Sequence, residues 1–382
     1  HVVAIEQFKL PIESQKRPYQ PVSNEKFQLI DLPEAISATS KNVQFTFNKI
    51  SGIVTSYKVN GKEYFDKEFG IQPNFWRAPN DNDYGNGGPH RLQVWKQSSK
   101  DFNVVDYKVF PQDNKAIVEA TYLLAAGNLY TVKYTIHTSG VVKVDVNFMS
   151  TDMEAAQMEA SEAMLMATAS PEATAARKAS SGLMVPRIGV RFRLPMTMNS
   201  VEFFGRGPGE NYIDRASGSK VGRYATTAED MYFPYVRPQE NGHRSDTRWA
   251  AFSDKKGGLM VVADETIGFN SLRNSVEDFD SEETTNRPYQ WNNFSSEEIA
   301  ARNDADAKNK LRRQTHINDI TPRDFVEVCV DMKQQGVAGY NSWGARPEPE
   351  YSIPANKNYK WGFTLVPVSD AKDIESKSIL KY

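Results

Sequence analysis

Residues 336–354 read GVAGYNSWGARPEPEYSIP and set one tryptophan, Trp343, among three glycines and three prolines. Gly336, Gly339 and Gly344 open backbone angles closed to other residues. Pro347, Pro349 and Pro354 remove donors and stop strand pairing. Trp343 therefore belongs to a loop. Tyr340, Asn341 and Ser342 suit turns and can hydrogen-bond a hydroxylated ligand. A flat aromatic in that setting fits the apolar face of a sugar ring. The alternative is a plug at the end of a β core, since tryptophan is usually well buried.

Three further stretches carry polar groups at suggestive spacing. Residues 75–88, FWRAPNDNDYGNGG, concentrate oxygen ligands at Asp81, Asn82 and Asp83. A calcium loop of the EF-hand kind is excluded, because no glutamate stands at its twelfth position and the flanks read as β rather than helix. These side chains can also simply close turns. Gly85, Gly87 and Gly88 make the second half of the stretch flexible. Residues 202–224 include FFGRGPGENYIDRASGSKVGRY. Here Asp214 is expected to pair with Arg215, and Glu210 with Arg206, as charge-assisted bonds knitting loops together. Residues 232–249, YFPYVRPQENGHRSDTRW, place Glu240 and His243 close enough in sequence for an acid–base pair. The structural alternative has Glu240 accepting from backbone or arginine donors.

The elements that must hold these stretches are strands. Val43, Phe45 and Phe47 alternate, and Ile53 to Val59 follows a turn at Asn48 to Gly52. Asn60-Gly61 is a two-residue hairpin signal. Ile117 to Leu124, Leu129 to His137 and Val141 to Met149 read as a meander. Further strands are expected at 188–194, 200–204, 249–253, 258–263, 325–332 and 360–367. The fold class is all-β and mainly antiparallel. Two segments depart from it: residues 153–181, rich in Ala, Met and Glu, read as an inserted helix or loop. Residues 295–313 offer a capped short helix with a solvated charged face.

Composition bounds the rest. The chain has 382 residues, 39% hydrophobic and 25% charged, with a formal net charge of −2, so it is globular and has no basic excess for nucleic acid. No apolar run approaches the about 20 residues of a membrane span. Cys329, the single cysteine, allows neither an internal disulfide nor a cysteine zinc site, and its alternating neighbours place it in a buried strand. The sequence opens on His1 rather than Met and reads as a piece of a longer polypeptide, which leaves its compartment unreadable.

Four motifs in order resemble the end of β-galactosidases of glycoside hydrolase family 2. The family's R-A-P-x-D-N-D is matched by Arg77, Ala78, Pro79, Asn80, Asp81, Asn82 and Asp83, with Gly85 as the glycine that follows it near the active-site mouth. Its G-x-G-P-x-E-N-Y-x-D-R is matched by Gly205, Gly207, Pro208, Glu210, Asn211, Tyr212, Asp214 and Arg215. Its P-Y-x-x-P-x-E-N-G is matched by Pro234, Tyr235, Pro238, Glu240, Asn241 and Gly242. The tryptophan loop is matched by Gly339, Asn341, Ser342 and Trp343, with Tyr340 where the family often has an acid.

The resemblance covers essentially the whole chain. It implies a large antiparallel supersandwich similar to galactose mutarotase over residues 26–382, with residues 1–25 as the last strand and linker of a preceding immunoglobulin-like β-sandwich. It implies a galactoside site completed by Trp343, Asn341, Asp81, Asn82, Asp83 and Gly85. It gives Arg77, Glu210, Glu240, Asn241 and His243 structural roles first. The two catalytic glutamates of a retaining enzyme, about 5 Å apart, would lie on a (β/α)8 barrel upstream, because no strand–helix alternation here could form one. No cofactor or metal is expected in this chain. Magnesium and sodium ions would belong to other domains of the parent. The implied partners are a galactoside such as lactose, the upstream domains and a second copy in a homo-oligomer. Two other classes stay open: an aldose epimerase using Glu240 and His243, and a galactose-binding module without turnover.

Overall fold

The computed structural model describes residues 5–11, 17–20, 25–112, 114–150, 184–280, 316–341, 344–370 and 372–382. The expected insertion at 153–181, the expected helix at 295–313, and Ser342 and Trp343 lie outside the described residues. The fold is a large antiparallel supersandwich.

Its strands follow from period-2 patterning. In Leu129–His137, Tyr130, Val132, Tyr134 and Ile136 are buried, while the residues between them are half-exposed. A strand with one apolar face must pair so that this face meets a core. It does so between Lys115–Leu124 and Val142–Met149, forming the expected meander. Phe102–Gln112 extends that meander to the sheet edge. The hairpin at Asn60-Gly61 has φ of 52° and 79° at its two residues, as the two-residue turn requires.

The architecture turns on Gly257–Leu272. Its first half, Gly258 to Ala263, pairs with Tyr359–Val368, which leads to the meander. Its second half, Gly268 to Leu272, pairs with Phe325–Gln334, which leads to Arg187–Pro195 and Gln72–Asn74. The exposed Asp264, Glu265 and Thr266 mark the fork. Arg244–Asp254, Ser200–Gly207 and Lys220–Thr227 continue on its other side. One sheet therefore changes partners along a single strand and curls. A separate sheet of five short strands, from Gln28–Asp31 to Lys62–Glu63, closes over it. Between the two, Phe45 meets Tyr134 at 5.4 Å and Phe65 meets Phe192 at 5.7 Å. Among the described residues no helix is long and apolar enough to cross a membrane.

Residues 5–11 are not in a strand, and residues 1–4, the start of the expected terminal strand, lie outside the described residues. Instead the Gln7 side-chain amide bonds the backbone of Val221 in both directions, at 2.8 and 2.7 Å. The flank after Pro79 is helical rather than β, with Asp81–Gly85, Gly88–Arg91 and Gln93–Ser98. Asn80 and Asp83 form a reciprocal capping box there, the signal that N-D-N-D carried beneath its metal-like appearance. Within that stretch Gly87, at φ 70°, is the N-cap of the second short helix.

Candidate functional site

The four stretches meet at one end of the sandwich, around Arg77. This side chain is 2% exposed. Its guanidinium donates to Asp83 through Nε at 3.2 Å and Nη2 at 2.9 Å. It also donates to the Gln335 carbonyl at 2.7 Å and the Gly336 carbonyl at 3.0 Å. Burial opposes its charge, and Asp83 more than offsets that, so Arg77 holds its proton more firmly than usual. Asp83 also accepts from the Asn80 backbone N–H at 3.1 Å. Its oxygens are thus committed to protein donors.

The chain from Gln335 to Ala338 is held from all sides. Gln335 N–H donates to the Pro186 carbonyl at 2.9 Å and Gly336 N–H to the Tyr351 carbonyl at 2.8 Å. Val337 and Ala338 N–H both donate to the Asp214 carboxylate, at 3.0 and 2.8 Å. The Val337 carbonyl accepts from Asn82 Nδ2 at 2.9 Å. Two glycines permit this packing. A Cβ at Gly336 would overlap the Asp214 carboxylate, and one at Gly339, φ 89°, would overlap the Asn82 amide. A side chain at Gly344 would start 2.7 Å from the Gly85 carbonyl oxygen. Gly344 is therefore packed backbone to backbone against Gly85 and Asn86. Asn341 accepts from Ala345 N–H at 3.3 Å.

The neighbouring motifs lock the rim. Glu210 takes Arg215 Nη2 at 2.7 Å, Gly242 N–H at 2.9 Å and the Tyr235 hydroxyl. The expected pairs Asp214–Arg215 and Glu210–Arg206 are thus replaced. Arg215 goes to Glu210, Arg206 goes to Asp246 at 2.5 Å, and Asp214 goes to backbone. The reason is geometric: a tight turn closed by Tyr212 and Arg215 sends Asp214 toward residues 337 and 338. Asn241 serves its own loop, accepting from Phe233 N–H at 3.1 Å and donating to the Gln239 carbonyl at 2.9 Å. On the outer side, Gln239 Nε2 donates to Asp81 at 3.2 Å, and Arg237 lies over the Tyr84 ring at 3.6 Å.

Beneath lies a polar floor. In Phe325–Gln334, Val326, Val328 and Val330 face the core. Glu327, Cys329 and Asp331 alternate with them and are also buried. In Arg187–Pro195, Ile188, Val190, Phe192 and Leu194 face the core while Arg187, Arg191 and Arg193 alternate with them. Buried charges must pair. Arg187 lies 3.3 Å from Glu240 and 3.1 Å from Asp331, and Glu327 takes Arg193 at 2.8 Å and Arg191 at 3.5 Å. Burial pushes the Asp331 carboxyl up to about 7, with Arg187 opposing the rise and Glu240 adding to it. His243 stacks on Tyr212 and sits 4.0 Å from Asp331. Burial, reinforced by Arg187, Arg244 and Arg77, keeps this histidine neutral well below its ordinary range. No hydrogen bond or ion pair joins His243 to Glu240, so the acid–base pair suggested by their spacing does not form. Arg187, Asp331 and Gln239 were not singled out from sequence; the alternation of arginines with aliphatic residues over 187–194 was the available signal. Among the described residues no group of three or more His, Cys, Asp or Glu side chains is gathered as a metal ion needs.

A family model described as "Beta galactosidase small chain" matches residues 39–365. A β-galactosidase from Priestia megaterium is 29% identical over 96% of this chain and 30% of its own length. One from Lactobacillus delbrueckii subsp. bulgaricus is 27% identical over 89% of this chain and 28% of its own length. The chain thus spans about three tenths of these relatives. A solved galactose mutarotase-like protein from Lactobacillus casei aligns over 87% of this chain and 99% of its own, with 11% identity and a TM-score of 0.40. With 327 of its 382 residues inside the matched range 39–365, this chain belongs to the β-galactosidase small-chain family.

Proposed function

We propose that the chain is the C-terminal part of a longer retaining β-galactosidase of glycoside hydrolase family 2, acting on terminal β-galactosides such as lactose. In this reading it supplies one wall of the sugar site and no catalytic carboxylate. Trp343 stacks on the galactose ring, Asn341 and the Asp81 to Gly85 turn shape the mouth, and Asp83 and Arg77 brace that turn from below. The two glutamates and the magnesium and sodium ions belong to upstream domains, which this chain meets through the same loops.

The observation that supports this most is the convergence of the 81–85 turn and residues 336–338 on Arg77, Asn82 and Asp214. So much anchoring at one end of a β-sandwich is the pattern of a loop whose side chains must be held in place. The epimerase alternative has less support, because Glu240 is tied to Arg187 and no hydrogen bond or ion pair joins it to His243.

The test is hydrolysis of a chromogenic β-galactoside by the chain alone, then by the chain mixed with the upstream part of the parent. Activity only in the mixture, lost on Trp343→Ala, is the expected result. Turnover by the purified chain alone would overturn the reading.

A further inference from the structure

We infer that Asp214 is a positioning residue for the loop that leads into Trp343, fixing its backbone by gripping two consecutive amides. The inference rests on the site-completing role proposed above. Asp214 sits third in the turn Tyr212 to Arg215, whose ends exchange backbone bonds at 2.8 and 3.4 Å. That turn is anchored from outside by Arg215, which holds Glu210 at 2.7 Å and lies 5.3 Å over the Tyr212 ring. The carboxylate so mounted accepts from both Val337 and Ala338. The backbone curls at and just after the second gripped amide: Ala338 has φ 54° and Gly339 φ 89°. Left-handed backbone is natural for glycine and unfavourable for alanine. Ala338 therefore holds a disfavoured conformation at the point where both amides are gripped. Such a residue persists only where its surroundings over-determine it. Here the surroundings are Asp214 on the donor side and Arg77 with Asn82 on the acceptor side. Gly336 completes the fit, since any Cβ there would displace the carboxylate.

An ionised carboxylate offers acceptors at both oxygens, whereas the asparagine amide offers one acceptor and one donor. Asp214→Asn should therefore release one of the two amides at constant size. The first readout is hydrogen exchange by mass spectrometry on this chain. A peptide spanning residues 336–341 should exchange at least tenfold faster in Asp214→Asn, while the meander at 115–149 is unchanged. Unaltered exchange of that peptide would overturn the inference whatever the chain's function. The second readout is galactoside hydrolysis in the mixture with the upstream part. KM should rise at least tenfold with a smaller change in kcat, and Asp214→Asn/Ala338→Gly should recover part of the loss, because glycine accepts the left-handed backbone without help. Trp343→Ala is measured alongside. If it weakens substrate binding while Asp214→Asn does not, the positioning role is overturned. If Trp343→Ala has no effect either, the site-completing role fails, and the exchange result alone decides whether Asp214 sets the loop.

Discussion

Replacing Arg77 by methionine tests the bracing of the site most directly. Methionine matches much of the length and apolar stem and removes the four hydrogen bonds to Asp83, Gln335 and Gly336. Asp83 then remains buried with its charge uncompensated, a situation that costs about 3–5 kcal/mol. The Gln335 and Gly336 carbonyls each lose a charged donor, worth roughly 1–3 kcal/mol where water cannot replace it. These terms overlap, because one guanidinium serves all of them, so a total of about 4 kcal/mol is expected. The double variant Arg77→Met/Asp83→Asn removes the orphaned charge and should recover about 2 kcal/mol relative to Arg77→Met alone. Urea unfolding followed by tryptophan fluorescence gives both values from the midpoint shift at constant slope. A loss under about 1 kcal/mol for Arg77→Met, or strictly additive effects of the two substitutions, would refute the account, since residues in one network must couple.

Three other outcomes follow. Asp331, raised to about 7 in the fold from 3.8, binds more protons folded than unfolded across that window, so its contribution falls as pH rises through it. His243, held far below 6.5, contributes stability above 6.5 that is lost on acidification. The two slopes oppose each other. Asp331→Asn should therefore lose stability below pH 6.5 more steeply than the parent, by up to about 1.4 kcal/mol per pH unit, and parallel urea-midpoint profiles would contradict the assignment. Gly61→Ala and Gly339→Ala both put alanine at positive φ, but of the two only the Gly339 position is crowded, by Asn82, whereas a Cβ added at Gly61 meets nothing within 4 Å. Gly61→Ala should cost about 1–2 kcal/mol and Gly339→Ala clearly more; equal thermal shifts would argue against the close packing of the loops. Cys329, buried and with its thiol raised by burial, should resist iodoacetamide in the folded chain and react only in denaturant, as followed by mass spectrometry.

Much of the fold was legible in residue order. Alternation located the meander, the strands expected over 188–194 and 325–332, and the apolar face of each, because a strand with one buried face must repeat every two residues. Asn60-Gly61 announced its turn through the positive φ it allows. The N-D-N-D stretch was visible as polar, but its metal-like spacing concealed a helix cap. The edge strand Phe102–Gln112 was missed because FNVVDYKVFPQ does not alternate cleanly across its bulge near Val105.

The sequence by itself determined which residues lie in strands and which faces are apolar, since both follow from local periodicity. It also marked the four motif stretches. Only the tertiary structure decided whom the charges serve. Asp214 is adjacent to Arg215 in sequence yet spends its carboxylate on amides 123 and 124 positions away. Arg187 is shared by Glu240 and Asp331, which lie on different elements. The single strand Gly257–Leu272 changes partners midway, and that fork brings Phe325–Gln334 and Arg187–Pro195 beneath the motif loops. A charged side chain takes whatever opposite partner burial brings within reach, and burial is set by how the sheets curl, which local periodicity does not encode.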